Sequence, residues 1–377
     1  MDIKKVLIAP DSFKGTISSL EVCRIISGKF KEFIPDVETL LVPIADGGEG
    51  TIDCFMTAKE GKRIPVAVKG PFFEEMDAEY ALINEGQTAI IELAMCAGLP
   101  LAGDKKDPAL TTTYGVGQMM VHAAEAGVSE ILIALGGSCT NDGGCGLAAA
   151  AGVKFSNKER KSFVPTGRTL ADIDEIDTSG ISPALNNVRI RAMCDVDNPF
   201  YGKNGAAFVF APQKGADEEM VCMLDGGLRK LAKKIKTFTG KEIGDMPGAG
   251  AAGGAGGGLA AFFNCSLESG IQIMLDAAGF EEIAKGCDLI LTGEGKLDSQ
   301  SLRGKVISGI ASRAAPLDIP VIVIAGVASD GYEGVYERGV SAVVVTNRAG
   351  LPPHAVKERA KSDLADTMDD LIRILKL

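Results

Sequence analysis

The stretch Val6-Leu7-Ile8-Ala9-Pro10-Asp11-Ser12-Phe13-Lys14-Gly15 decides how the chain is read, because an apolar run ends in a polar loop and a helix-like pattern from Ser18 to Phe33 follows. This is a strand–loop–helix junction. In open α/β sheets ligands bind beyond the carboxyl ends of the strands, where this loop offers an acid, a hydroxyl, a cation and open backbone. Taken alone, Asp11 or Ser12 reads as a turn residue or N-cap. Lys14, held between Phe13 and Gly15, shifts the reading toward function. A second junction follows the run Val37 to Val42: Pro43-Ile44-Ala45-Asp46-Gly47-Gly48-Glu49-Gly50 leads into a helix from Thr51 to Lys59. Its carboxylates, Asp46 and Glu49, suit metal or substrate binding as well as helix capping.

From Arg63 the texture changes. Ile64 to Lys69, Asp77 to Ile83 and Thr88 to Leu93 are short strand-like runs, with Asn84-Glu85-Gly86-Gln87 as a hairpin turn. A helix from Tyr114 to Glu125 and a buried strand from Ile131 to Leu135 come next. Val188 to Met193 and Ala207 to Phe210 read as further strands, and Asp217 to Phe238 as a helix. Near Ser269 alternating helices and strands resume, with strands expected at Leu289 to Leu291, Val321 to Ala325 and Ala342 to Val345. Two strands at the start and three at the end make one sheet, for which right-handed crossovers give the order 2-1-3-4-5. The expected fold is therefore α/β with two domains. Residues 1–62 and 269–377 form a discontinuous flavodoxin-like, doubly wound parallel sheet, and residues 63–268 form an inserted α/β domain with a mixed sheet. In this order the loop holding Asp11 and Lys14 faces a loop from Thr292 to Asp298, so Glu294 and Asp298 are expected to converge with them.

Composition narrows the function. Gly supplies 47 of 377 residues, well above the usual ~7 %, and clusters in short runs after apolar strands, as phosphate-binding loops do. The net charge of -11 disfavours nucleic acid. Nine cysteines without a CxxC pair, and His122 and His354 as the two histidines, leave little for a zinc site and read as reduced, mostly buried thiols. With no basic-then-apolar leader after Met1 and no apolar run near membrane-spanning length, a cytoplasmic protein with no membrane partner is expected.

Three further segments carry chemistry. Gly136-Gly137-Ser138-Cys139-Thr140-Asn141-Asp142-Gly143-Gly144 leaves a strand and enters a helix, so open N–H groups, hydroxyls and a helix start form an anion cradle; a helix capped by Thr140 or Asp142 is the competing reading. Asp195-Val196-Asp197-Asn198 offers two carboxylates for a divalent cation, against a solvated Asx turn before Pro199. Gln213-Lys214-Gly215 adds a cation. Gly248 to Gly253 matches GxGxxG but no strand precedes it, so it is not a dinucleotide fingerprint. A loop closing on phosphates through Gly250 and Gly253, or a closely packed helix, both remain open.

In order along the whole chain, APDSFKG, PIADGGEGT, DPALTTTYGVG, LGGSCTNDGG, CDVDNP, APQKGA, PGAGAAGG and LTGEGKLDSQS resemble the motifs of the bacterial glycerate kinase family. The resemblance implies ATP-dependent phosphorylation of D-glycerate with Mg²⁺, usually to 2-phosphoglycerate, on a flavodoxin-like domain joined to an inserted α/β domain. Cys139 and Cys145 stand where many members carry alanine, and Lys296 where arginine is common. A kinase must align the acceptor hydroxyl with the γ-phosphorus and neutralise the transferring group. Asp11, Lys14 and Asp46 are accordingly expected as catalytic residues, with Lys14 acting on charge in the transition state. Binding of substrate or phosphate is expected from Ser12, Gly47, Gly48 and Glu49, from Gly136, Gly137, Ser138, Thr140, Asn141 and Asp142, and from Lys214, Gly250, Gly253, Glu294 and Asp298. Asp195 and Asp197 are expected to hold Mg²⁺. The partners expected are small molecules, in a monomer or homodimer using the cleft between its domains. A non-catalytic sugar-acid or nucleotide sensor is the alternative.

Overall fold

The computed structural model describes residues 3–13, 15–45, 47–48, 50–298, 306–350 and 353–377. The chain divides into two compact units, Met1–Asp46, Asp53–Lys59 and Ile271–Leu377 in one, and Gly47–Ile52 and Glu60–Gly270 in the other.

The first unit holds a five-stranded sheet in the spatial order Glu38–Leu41, Lys5–Ile8, Leu289–Leu297, Val321–Ala328, Val340–Val345. Every neighbouring pair is parallel, and Val6, Leu7 and Ile8 stand opposite Leu289, Ile290 and Leu291. This is the order 2-1-3-4-5. Side chains alternate across a strand. Ile322 and Ile324 therefore join one cluster with Val6, Ile8 and Leu291, while Val323 and Ala325 join another with Leu297 and Ile307. Burial on both faces is why these strands read as unbroken apolar runs. The helix Ser19–Phe33 starts on a capping box in which Ser18 Oγ accepts from Glu21 N at 3.3 Å and the Glu21 carboxylate accepts from Ser18 N at 3.4 Å. Its buried face carries Val22, Ile26 and Phe30.

One expectation for this unit is corrected. Thr292 to Leu297 is not a loop but the second half of the strand Leu289–Leu297, paired with Val321–Ala328 as far as Leu297 opposite Ala328. Gly293 permits this, because a Cβ there would sit 2.1 Å from Ile324 O. Local sequence carries no record of such a pairing, since the partner lies across a crossover.

In the second unit a six-stranded sheet runs Ser266–Glu268, Arg189–Met193, Glu130–Ala134, Thr88–Glu92, Glu75–Ile83, Gly61–Lys69. The first four strands are parallel and the last two join as antiparallel hairpins, which makes the sheet mixed. A small antiparallel sheet of Ser162–Phe163, Lys154–Ser156 and Glu175–Asp177 lies apart from it. Ala207 to Phe210, expected as a strand, is a helix, Ala206–Phe210. Ala206, Ala207 and Ala211 are buried while Phe208 and Val209 are exposed, and a run this short has no readable period. The glycine-rich stretch from Gly248 is mostly helix, Ala251–Phe263, with left-handed backbone at Ala252, Gly253 and Gly254. Gly47–Ile52 also groups with this unit rather than with the preceding strand. Seven of the nine cysteines are buried and all are free thiols.

Two glycines of the first unit respond in opposite directions. Gly28 is exposed in the helix Ser19–Phe33, and nothing lies within 4 Å of the place a methyl group would take, so Gly28→Ala gains about 0.5–1 kcal/mol. Gly293→Ala loses about 1–3 kcal/mol by overpacking. Denaturant unfolding of both variants checks this; a neutral Gly293→Ala would contradict the close strand contact.

Candidate functional site

Within the second unit, the carboxyl ends of three parallel strands lie level, with Glu92 opposite Ala134 and Ala134 opposite Met193. Crevices beyond such ends are where ligands bind. The loop leaving Ala134 approaches Gly47 and Gly48 so closely that Gly136 N donates to Gly47 O at 2.8 Å, and a Cβ on Gly136 would lie 2.5 Å from Gly48 Cα. Only glycine fits there. Glu92, buried at the end of its strand, accepts from Ile52 N at 2.7 Å. These contacts bind Gly47–Ile52 to this sheet edge. Glu92 was not anticipated from the sequence, although a single carboxylate closing the apolar run Thr88 to Leu93 was the available signal.

Asp142 organises the next layer. Fully buried, its carboxylate accepts from Thr113 N and Thr113 Oγ at 2.8 Å each, from Gly144 N at 3.0 Å and from Gly146 N at 3.1 Å. Burial raises its pKa above the usual carboxylate value, and the bonds from Thr113, Gly144 and Gly146 oppose that rise. Thr113 Oγ in turn accepts from Leu147 N at 2.9 Å. The contacts of Asp142 are thus with its own chain, which it ties to the start of the helix Cys145–Ala150. Gly253 and Gly250 likewise meet protein. A Cβ on Gly253 would lie 2.0 Å from Thr140 O, and one on Gly250 would lie 2.4 Å from Pro199 O.

Lys214 ends the turn Pro212–Lys214 and is 2 % exposed. Its Nζ donates to Ser138 Oγ at 2.8 Å and to Thr140 O at 2.7 Å. Both acceptors are neutral. Burial lowers its pKa to about 8, with Cys139 and Asp142 pulling it back up; burial pushes the Cys139 thiol up to about 11, so it is neutral beside the lysine. Asn141 is fully buried, and neither its Nδ2 nor its Oδ1 has a hydrogen-bond partner among the described residues.

Beyond Met193, Asp195 and Asp197 are exposed. Asp195 Oδ1 accepts from Ser269 Oγ and Gly270 N, both at 2.9 Å. Among the described residues no group of three or more His, Cys, Asp or Glu could form a metal cage. Two carboxylates this close in sequence suit a cation that keeps its remaining positions for water and phosphate oxygens.

In the first unit, Asp11 N donates to Gly293 O at 2.8 Å and Thr292 Oγ donates to Ala9 O at 2.9 Å, so the first loop meets the third strand beside Glu294. Asp11 and Glu294 are both buried, and Asp11 Oδ1 accepts from Ser12 N at 2.6 Å. Because the strand continues to Leu297, Asp298 lies about 13 Å beyond Glu294 at ~3.3 Å per residue; it pairs with Lys296 at 3.1 Å. Lys14, Asp46 and Glu49 lie outside the described residues, as does the tail of the LTGEGKLDSQS motif from Ser299.

The buried lysine sets a pH dependence of stability. Its folded pKa of about 8 lies below the 10.5 of an exposed lysine, so between these values the unfolded chain holds one more proton and stability rises with pH. Relative to Lys214→Met, the wild-type chain gains up to ~1.4 kcal/mol per pH unit in that window. Denaturant unfolding from about pH 7.5 to 10.5, spanning both values, measures it, and parallel profiles for the two proteins would contradict the assignment.

The sequence profile of the Glycerate kinase family matches residues 6–376. A glycerate kinase of Bacillus cereus is 44 % identical over 374 residues, covering 99 % of this chain and 98 % of its own. A glycerate 2-kinase of Escherichia coli K12 is 43 % identical over 340 residues, covering 90 % of this chain and 89 % of its own. A crystal structure assigned as glycerate kinase 2 from Salmonella typhimurium LT2 superposes with a TM-score of 0.87 at 38 % identity, covering 100 % of this chain and 99 % of its own.

Proposed function

We propose roles for these residues from the premise that this chain belongs to the glycerate kinase family, and that its reaction is the ATP-dependent phosphorylation of glycerate. The observation that carries the proposal is Lys214, a buried ammonium bonded to neutral acceptors of a glycine-rich loop. Such a cation is best compensated by an anionic ligand. Gly136 to Asn141 with Lys214 then form the anion-receiving edge of the second unit. Glu92 and Asp142 act as positioning residues that hold Gly47–Ile52 and the loop in place.

Phosphoryl transfer asks the protein for alignment and charge neutralisation more than for covalent chemistry. Asp195 and Asp197 would hold Mg²⁺, which when bound neutralises charge on the phosphate oxygens. Asp11, or Asp46 by its place in the second junction, takes the proton of the acceptor hydroxyl, and Lys14 supplies positive charge to the transferring group. Ser12 and Glu294 support that loop from the same sheet edge. D-glycerate as acceptor and 2-phosphoglycerate as product complete the reading, supported by the glycerate 2-kinase of E. coli at 43 % identity.

Incubated with ATP, Mg²⁺ and D-glycerate, the protein releases ADP only when glycerate is present, and phosphorus NMR identifies 2-phosphoglycerate. ADP release indifferent to glycerate would overturn the activity. Formation of the 3-phosphate would overturn the position of transfer alone.

A further inference from the structure

Resting on the kinase reading above, we propose that Asn141 and Lys214 form the subsite for the hydroxy-acid substrate, so that the loop from Gly136 to Gly144 receives glycerate rather than the nucleotide. Two observations converge on one peptide unit. Lys214 Nζ bonds the carbonyl of Thr140, and the nitrogen of that same peptide belongs to Asn141, whose buried carboxamide has no partner for either polar atom among the described residues. A buried amide in this state is costly, and a bound ligand that bonds it removes the cost. Lys214 meanwhile spends two of its three N–H groups on Ser138 Oγ and Thr140 O.

The hydrogen-bonding character of the ligand follows from this pair. Nδ2 and Nζ donate, so the ligand must accept, and a negative group suits the ammonium. Oδ1 accepts, so the ligand must also donate. The ionised oxygens of a triphosphate only accept and would leave Oδ1 unbonded. Ribose and adenine can donate, but they bring no charge to Lys214. A small 2-hydroxy acid does both, its carboxylate taking Nζ and Nδ2 while a hydroxyl donates to Oδ1. Size agrees: Asn141 and Lys214 are almost wholly withdrawn from solvent, which suits a three-carbon acid better than a nucleotide. A carboxylate beside Lys214 would also favour the charged form that burial disfavours.

The test uses the full chain as wild type and Asn141→Leu, which keeps the side chain's bulk and removes both polar atoms. Thermal unfolding is followed with no ligand, with D-glycerate alone and with ADP alone, beside steady-state kinetics. The expected result is a ligand-free melting temperature at or above wild type, loss of the glycerate-induced shift, and a KM for glycerate raised roughly tenfold or more. The ADP-induced shift persists and the KM for ATP stays within about twofold, the scatter of a remote substitution. Lys214→Met shows the same split between the two ligands, and Asn141→Ser supplies it should Asn141→Leu fail to fold. A glycerate shift that survives in the Asn141 variant overturns the proposal, leaving the amide a structural group bonded to buried water. Loss of the ADP shift with the glycerate shift intact also overturns it, by making this the nucleotide loop. Failure of the kinase reading is separate, since it would appear in wild type as ADP release without glycerate dependence.

Discussion

A carboxylate withdrawn completely from water must be bonded on all sides by the protein or lose its charge, and the second unit is built around one that is bonded in this way. Asp142 gathers N–H and O–H groups from Thr113, Gly144 and Gly146, and so pins the starts of two helices whose apolar faces share one core. Removing it would leave these buried donors unsatisfied, at about 1–3 kcal/mol each. Once the loop is fixed, Ser138 and the Thr140 carbonyl can receive Lys214, and the negative charge of Asp142 helps keep that lysine protonated. The hydroxyl and carbonyl that receive Lys214 therefore sit in a loop that a buried, hydrogen-bonded carboxylate anchors.

Local attraction of this kind matters in a chain with a net charge of -11 whose substrates, glycerate and ATP, are themselves anions. The long-range field repels them. Only short-range groups can offset that repulsion, and Lys214 is a cation held where water screens it little. Burial gives such a cation reach at the expense of a lowered pKa.

Much of the fold was legible in the sequence because the relevant signals are local. Apolar runs such as Val6 to Ala9 and Val321 to Ala325 alternate with capped amphipathic helices, and chain-handedness rules order the strands. What was not legible depends on distant partners. Ala207 to Phe210 is helical because its alanines pack into the core while Phe208 and Val209 face solvent. Thr292 to Leu297 is strand because Val321–Ala328 lies beside it, and Gly47–Ile52 follows Gly136 and Glu92 rather than its own strand. For the candidate site, glycine loops and lysines in the sequence led to an expectation of anion binding, but the sequence could not say which polar atoms are consumed internally. Asp142 and Thr113 are engaged with each other, Gly250 and Gly253 accommodate neighbouring backbone, and Asn141, chemically similar to Asp142, keeps both its polar atoms without a partner among the described residues.

With its buried carboxylate bonded to Thr113, Gly144 and Gly146, the loop is rigid before substrate arrives. Hydrogen exchange on the ligand-free protein, resolved at the amides of Thr113, Gly144 and Gly146, addresses this directly. These amides are expected to exchange only through unfolding of the whole second unit, as slowly as those of the central strand Glu130–Ala134. Fast exchange by local opening, slowed only when glycerate is added, would contradict it and make the loop a structure that the substrate itself assembles.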